Sequence, residues 1–184
     1  MALPDDIDFF TAGDILQDVI RIKKIIKSDI FEVQNIGHPL IKSAFTELMI
    51  CVNDLTRKAI KYGTRVSFTD DVVVTPNIAD VTDLIRFIRD ALCHTHIYNH
   101  FIVPGRIKAS FFVLHGKVSH APFKPDHDIV LVSEYSDDVC FFFGLHKIYL
   151  KRHVIRAYRE AAGQLLDMLP TFPNDIFIDG SFNL

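Results

Sequence analysis

Between Asp14 and about Lys27 the apolar residues Ile15, Val19, Ile22 and Ile26 recur at three- and four-residue spacing, and Arg21, Lys23, Lys24 and Lys27 fill positions between and beyond them. That spacing predicts an amphipathic helix. A second helix is expected from Pro39, which suits a first turn because its missing donor would be unpaired there, to near Gly63. Ile41, Phe45, Leu48, Val52, Leu55 and Ala59 mark its inner side. Thr64 to Asn77 reads as a connection, a Val-rich run closed by Thr75-Pro76-Asn77 before a new helix start. A third helix is expected over about Ile78 to Ile102, ended by Pro104-Gly105.

Beyond Gly105 the period changes. Arg106 to His115, Asp128 to Val132 and Val139 to Leu150 are rich in β-branched and aromatic residues and are split by Gly116, Pro122, Pro125 and Ser136-Asp137-Asp138. A three-stranded antiparallel meander is expected, with Gly144 marking a bulge. The last helix, Lys151 to Leu169, buries Val154, Ile155, Tyr158, Ala162, Leu165 and Leu166, and Pro170 stops it. The tail to Leu184 reads as irregular, with no internal repeat or low-complexity segment anywhere. The expected fold class is mainly α: a bundle of about four main helices with a small antiparallel β insert, about 106–150, before the last helix.

At 184 residues the chain is expected to form a single domain over 1–184. Hydrophobic residues at 49% and charged ones at 23% are enough for a packed core and exclude a disordered chain. A net charge of -3 argues against a general nucleic-acid coat protein and leaves room only for a local basic patch. Cys51, Cys93 and Cys140 stand far apart, and an odd number cannot close into a complete disulfide set. The first residues are acidic where a secretory signal would be basic, and no stretch is apolar for the ~18 residues a membrane span needs. The expected location is the cytoplasm, with no membrane partner.

Chemistry concentrates on the third helix. Val81, Leu84, Ile85, Ile88, Ala91, Leu92 and Thr95 form a core stripe of about 120°. Arg89, Cys93, His96 and His100 line its border, while Asp90 and His94 lie on the far side with Phe87, Ile97 and Phe101. A face that mixes a histidine with bulky apolar residues suits a dimer interface around a shared site.

The run Arg89-Asp90-Ala91-Leu92-Cys93-His94 is an arginine, a polar residue, three further positions and a histidine. In this motif and the helices around it the chain resembles the HEPN superfamily. The resemblance implies a small helical bundle, activity as a ribonuclease on RNA, and an Arg and a His that meet across a homodimer. Many such proteins are toxins, phage-defence factors or effectors, which implies an antitoxin or defence partner. The β insert departs from a plain bundle and is similar to HEPN-like families carried on bacterial plasmids.

The residue types suit that chemistry in their own right. Cutting RNA without a metal needs a base for the 2′-hydroxyl proton, and a neutral imidazole with pKa near ~6.5 can serve; His94 is the candidate. Arg89 offers a planar, permanently charged donor fork to the attacked phosphate. Asp90, four residues before His94, could hold one tautomer of its ring. Arg89 and His94 would point about 140° apart on an ideal helix, so either the helix is distorted or two copies share the site.

Other features have a functional and a plainer reading. His96 lies seven residues after Arg89, where a wider version of the motif would select it. His96 and His100 have chelating spacing with Cys93 beside them, but no carboxylate is fixed by sequence, so neither a metal nor a cofactor is expected. Cys93 reads more readily as a small packing residue than as a nucleophile. Arg152, Arg156 and Arg159, with Lys151 and His153, could hold RNA phosphates or form a solvated face. Phe141-Phe142-Phe143 and Phe111-Phe112 could stack on bases or pack the sheet onto the bundle. The expected function is a metal-independent endoribonuclease; the alternative is a non-catalytic module holding a nucleotide or a protein partner in a toxin-antitoxin or defence system.

Overall fold

The computed structural model describes residues 7–94, 101–103, 107, 108, 110–123 and 129–169. Helix α1 (Phe9–Ile26) begins where the Asp8 carboxylate accepts the N–H groups of Phe10 at 2.8 Å and Thr11 at 2.9 Å, satisfying donors that have no partner in a first turn. Ile15, Val19 and Ile22 are buried, as their spacing predicts. After a single 3-10 turn (Val33–Asn35), α2 (Ile41–Tyr62) buries Phe45, Leu48, Val52, Leu55 and Ala59 and packs between α1 and the next helix.

That helix, α3 (Val81–Cys93), is capped by Asp80, which accepts the Asp83 N–H at 3.0 Å and is held in turn by Arg65 Nε at 2.7 Å and Nη2 at 2.9 Å. Val81, Leu84, Ile85, Ile88, Ala91 and Leu92 are buried, as the stripe predicts, whereas Thr95 lies outside the described residues. The helix does not run on to Ile102. The His94 N–H closes the last turn on the Asp90 carbonyl at 2.9 Å, and His94 itself is extended at φ -125 and ψ 98. The sequence beyond is Thr, His, Ile, Tyr, Asn, His, Phe, Ile and Val, which are weak helix formers and, for the β-branched and aromatic ones, strand formers. Phe101–Val103 accordingly forms β1, antiparallel to β2 (Ile107–Lys108).

The strands correct the expected fold class. β3 (Phe112–His115), β6 (Val139–Phe143) and β7 (His146–Tyr149) make an antiparallel sheet in the order β3-β6-β7, while β4 (Val118–Phe123) and β5 (Ile129–Ser133) pair as a separate antiparallel hairpin. This is not the single meander expected. Gly144, at φ 57, turns the chain from β6 into β7 rather than making a bulge.

All of β6 is buried, because its two faces enter different cores. Phe141 and Phe143 join the helices, where Phe141 stacks on Phe45 at a 3.8 Å centroid distance, and Phe31 meets both rings edge-on. Cys140 and Phe142 pack on the other side with Leu114, Leu131 and Tyr149. A continuous apolar strand covered on both faces is a core element. The molecule is therefore mixed α/β, with four main helices and a sheet sharing one core, and not a mainly α, HEPN-like bundle carrying an accessory insert.

A π-helical turn (Leu150–Ile155) leads into α4 (Arg156–Met168), which packs against α2. Within the turn His153 Nδ1 accepts the Tyr149 N–H at 3.1 Å and Nε2 lies 3.0 Å from the Asp70 carbonyl. At the far end of α2, Gln164 Oε1 accepts the Thr64 N–H at 2.7 Å so close to Gly63 that a Cβ there would stand 2.8 Å away. Among the described residues no helix is long and apolar enough to cross a membrane.

Candidate functional site

Helices α1 and α3 both flank α2, and a cleft of 490 Å³ opens along the α2 face between them. α1 contributes Asp18 and Arg21, and α3 contributes Arg89 and Cys93 one turn apart. From α2 come Glu47, Ile50, Cys51, Asn53, Asp54 and Arg57, a run at helical spacing. Cys51 and Asn53 are buried at its floor, and charged side chains form its rim.

Arg89, expected as the phosphate clamp, borders this cleft, and its Nη1 lies 2.8 Å from Asp90 Oδ1. The Asp90 carboxylate thus meets Arg89, while its backbone carbonyl accepts the His94 N–H. His94 is exposed at the α3 C-terminus and is not among the residues lining the cleft. The ideal-helix angle between Arg89 and His94 no longer applies, because His94 has left the helix. Cys93 is exposed at the lip rather than packed inside. His96 and His100 lie outside the described residues. Among the described residues no group of three His, Cys, Asp or Glu is placed to hold a metal.

The mixed face that suggested a dimer is altered. Phe87 packs on His146 of β7 with ring centroids 4.3 Å apart, Phe101 belongs to β1, and Ile97 falls outside the described residues.

The cleft's carboxylates are not equivalent. Lys58 Nζ lies 3.2 Å from Asp18 Oδ2 and makes a shorter ion pair with Asp54. Burial, joined by a hydrogen bond to Asp54, pushes the Asp18 carboxyl up to about 6. Burial acts on Asp54 in the same sense, but its hydrogen bonds to Lys58 and Asp18 outweigh it and leave its pKa lowered. Burial, with the charges of Asp18 and Glu47, pushes the Cys51 thiol up to about 12, which makes it a packing group and not a nucleophile. Arg21 and Glu47 stand 3.4 Å apart, exposed by 57% and 45%, a weak pair.

The basic stripe expected on the last helix is mostly committed elsewhere. Arg152 pairs with Asp138 at 3.1 Å and Asp137 at 3.0 Å and lies 3.6 Å over the Tyr135 ring. Arg156 pairs with Asp70 at 2.8 Å and Glu160 at 3.0 Å and lies 3.8 Å over the Phe68 ring. Arg159 alone of the three is exposed without an ion pair to a described residue. The Phe141-Phe142-Phe143 run is core, so its packing reading holds.

Asp18, Arg21, Asp54, Arg57 and Lys58, in or beside the cleft, carry no motif that marks them as site residues. The only local signal was the four-residue spacing of Asp54 and Lys58; the rest depends on how α1 and α2 meet. Comparison of the chain with protein-family models, with curated proteins and with solved structures finds no match.

Proposed function

We propose that this protein is a cytoplasmic, metal-independent endoribonuclease that works as a homodimer, with Arg89 of one copy and His94 of the other meeting on one phosphodiester. The observation that carries the reading is the convergence of Arg21, Arg57 and Arg89 on one open cleft, since guanidinium groups are suited to the planar, multiply charged phosphate. His94 stands outside that cleft in its own chain, so a second copy is the natural source of the imidazole. Free thiols at Cys51, Cys93 and Cys140 suit a reducing compartment.

In this scheme neutral His94 takes the 2′-hydroxyl proton, the 2′-oxygen attacks phosphorus, and the 5′-oxygen leaves with the proton returned by the imidazolium. The products are a 2′,3′-cyclic phosphate and a 5′-hydroxyl. Arg89 stays charged throughout and neutralises the negative charge accumulating on the phosphoryl oxygens. Asp90 fixes the Arg89 guanidinium.

Incubating single-stranded RNA with the protein in a chelator should give cyclic-phosphate ends, and His94→Ala should abolish cutting while the protein stays folded. Undiminished cutting by that variant removes the proposal. Growth arrest on expression, relieved by Arg89→Ala, would place the enzyme among toxins or defence effectors with a dedicated antitoxin. The second reading, a non-catalytic module that holds a nucleotide or a protein partner, is favoured by the absence of an imidazole from the cleft lining among the described residues. Retention of RNA without cutting at any ionic strength would select it.

A further inference from the structure

In the cutting scheme above only Arg89 of the cleft's three arginines has a chemical role. Arg21 comes from α1, Arg57 from α2 and Arg89 from α3, so three separate elements carry guanidinium groups to the same 490 Å³ opening. Self-repelling cations do not gather at a cleft without carboxylates nearby, but here two of the three guanidinium groups are not closely paired. Arg57 has no ion pair with a described residue, and Arg21 has only the loose, exposed contact with Glu47. Asp54 is satisfied by Lys58. The volume lies in the range of small-ligand sites.

We propose that Arg21 and Arg57 form, with Arg89, a phosphate-ester binding cleft whose ligand is the backbone of a single-stranded oligonucleotide or the phosphate of a free nucleotide, and that Asp18 gates its charge. The proposal rests on the assignment of Arg89 to a phosphodiester and does not require that the bond be cut.

Arg21, Arg57 and Arg89 with Asp18, Glu47 and Asp54 line the cleft, and Lys58 and Asp90 stand behind them, Lys58 paired with Asp18 and Asp54 and Asp90 with Arg89. With every carboxylate ionised these charges balance, and a proton on Asp18 tips the cleft positive. Asp18 faces Cys51, Asp54 and Lys58 from α2, with Arg21 on its own helix and Arg89 across the cleft. Its pKa of about 6 sets the range in which that charge changes. An anion therefore binds more tightly below pH 6 than above it, and a bound anion draws a proton onto Asp18.

The test uses a fluorescent 2′-O-methyl RNA hexamer, which cannot undergo 2′-oxygen attack and whose diester charges do not titrate in this range, with a mononucleotide as the second arm. Arg21→Ala and Arg57→Ala should each weaken hexamer binding roughly tenfold and flatten its salt dependence by about 0.7 in log–log slope. Lys42→Ala, which removes an exposed charge of α2 outside the cleft, should do neither. Asp18→Asn should bind the hexamer at pH 7.5 as tightly as the native protein does at pH 5.5 and lose the pH dependence. Tighter binding of the mononucleotide than of the hexamer would assign the cleft to free nucleotides. Native-like binding by both arginine variants, an equal loss in Lys42→Ala, or no binding of either probe would overturn the proposal. Because the hexamer is uncleavable, a failure of His94→Ala to abolish cutting of natural RNA leaves this result independent.

Discussion

Two basic, histidine-bearing segments look alike in the sequence and differ in the folded chain. At the start of α4, His153 is buried, and Arg152 and Arg156 are taken up in ion pairs. Asp138, 1% exposed, accepts the backbone N–H groups of Lys151 and Arg152 at 2.8 Å and 3.1 Å as well as the Arg152 guanidinium. His153 ties the π turn to the Asp70 loop through both ring nitrogens. At the end of α3, Arg89 and His94 sit on or beside an open cleft. The first segment uses its cations to join the sheet, a loop and a helix; the second places the Arg89 guanidinium, ion-paired among the described residues with its sequence neighbour Asp90, on the border of the cleft. A basic cluster therefore becomes a candidate for function only where distant carboxylates have not already claimed it.

The largest expected effect is on the enclosed side. Asp138→Ala removes an acceptor for three backbone donors, Val139, Lys151 and Arg152, and a guanidinium inside the protein, and should cost about 3 kcal/mol or more in urea denaturation. Hexamer binding per folded molecule should be unchanged. A stability close to native would mean that this node is not the anchor described here.

Next comes His153→Ala, expected to cost about 2 kcal/mol. Burial lowers the His153 pKa below its ordinary 6.5, so the folded state resists a proton that the unfolded state accepts. The native protein should therefore lose stability relative to His153→Ala as pH falls through 6.5. A relative gain on acidification would contradict the neutral, tethering role.

On the cleft side the sign reverses. Asp18 has a folded pKa of about 6 against an ordinary 3.8, so its proton stabilises the fold at low pH and that contribution is lost as pH rises from about 4 to about 6. The stability of Asp18→Asn relative to native should increase over that window, by on the order of 1 kcal/mol, and stay flat above it. A pH-independent difference would remove Asp18 as the titrating group.

The smallest stability changes are expected at Arg89→Ala and His94→Ala, within about 0.5 kcal/mol by thermal denaturation. Their effect should fall on RNA. Substantial unfolding of either variant would move that residue to the structural side of the contrast.

Much of the helical architecture was legible because α1, α2 and α3 each bury a stripe at three- and four-residue spacing. The end of α3 was not, since Ile97 and Phe101 continue an apolar period through residues whose backbone preference is extended. The mixed α/β class was obscured by Phe141-Phe142-Phe143, whose continuous apolar run hides the alternation of two faces, each with its own core. Of the three cleft arginines only Arg89 stands in a motif that spacing marks. Arg21 and Arg57 could not be picked out, because they join Arg89 only through the packing of three helices. The loss of Arg152 and Arg156 to internal pairs was equally hidden, since Asp70 lies 86 residues from Arg156 in the chain.

The decisive measurement is a subunit-mixing assay on RNA in the presence of a chelator. Arg89→Ala and His94→Ala should each be inactive alone, and an equimolar, re-equilibrated mixture should regain about a quarter of native cutting, because half the dimers then carry one intact composite site. A mixture as inactive as its parents, beside a native protein that cuts, would place both residues in one chain; a native protein that leaves RNA intact would end the ribonuclease reading.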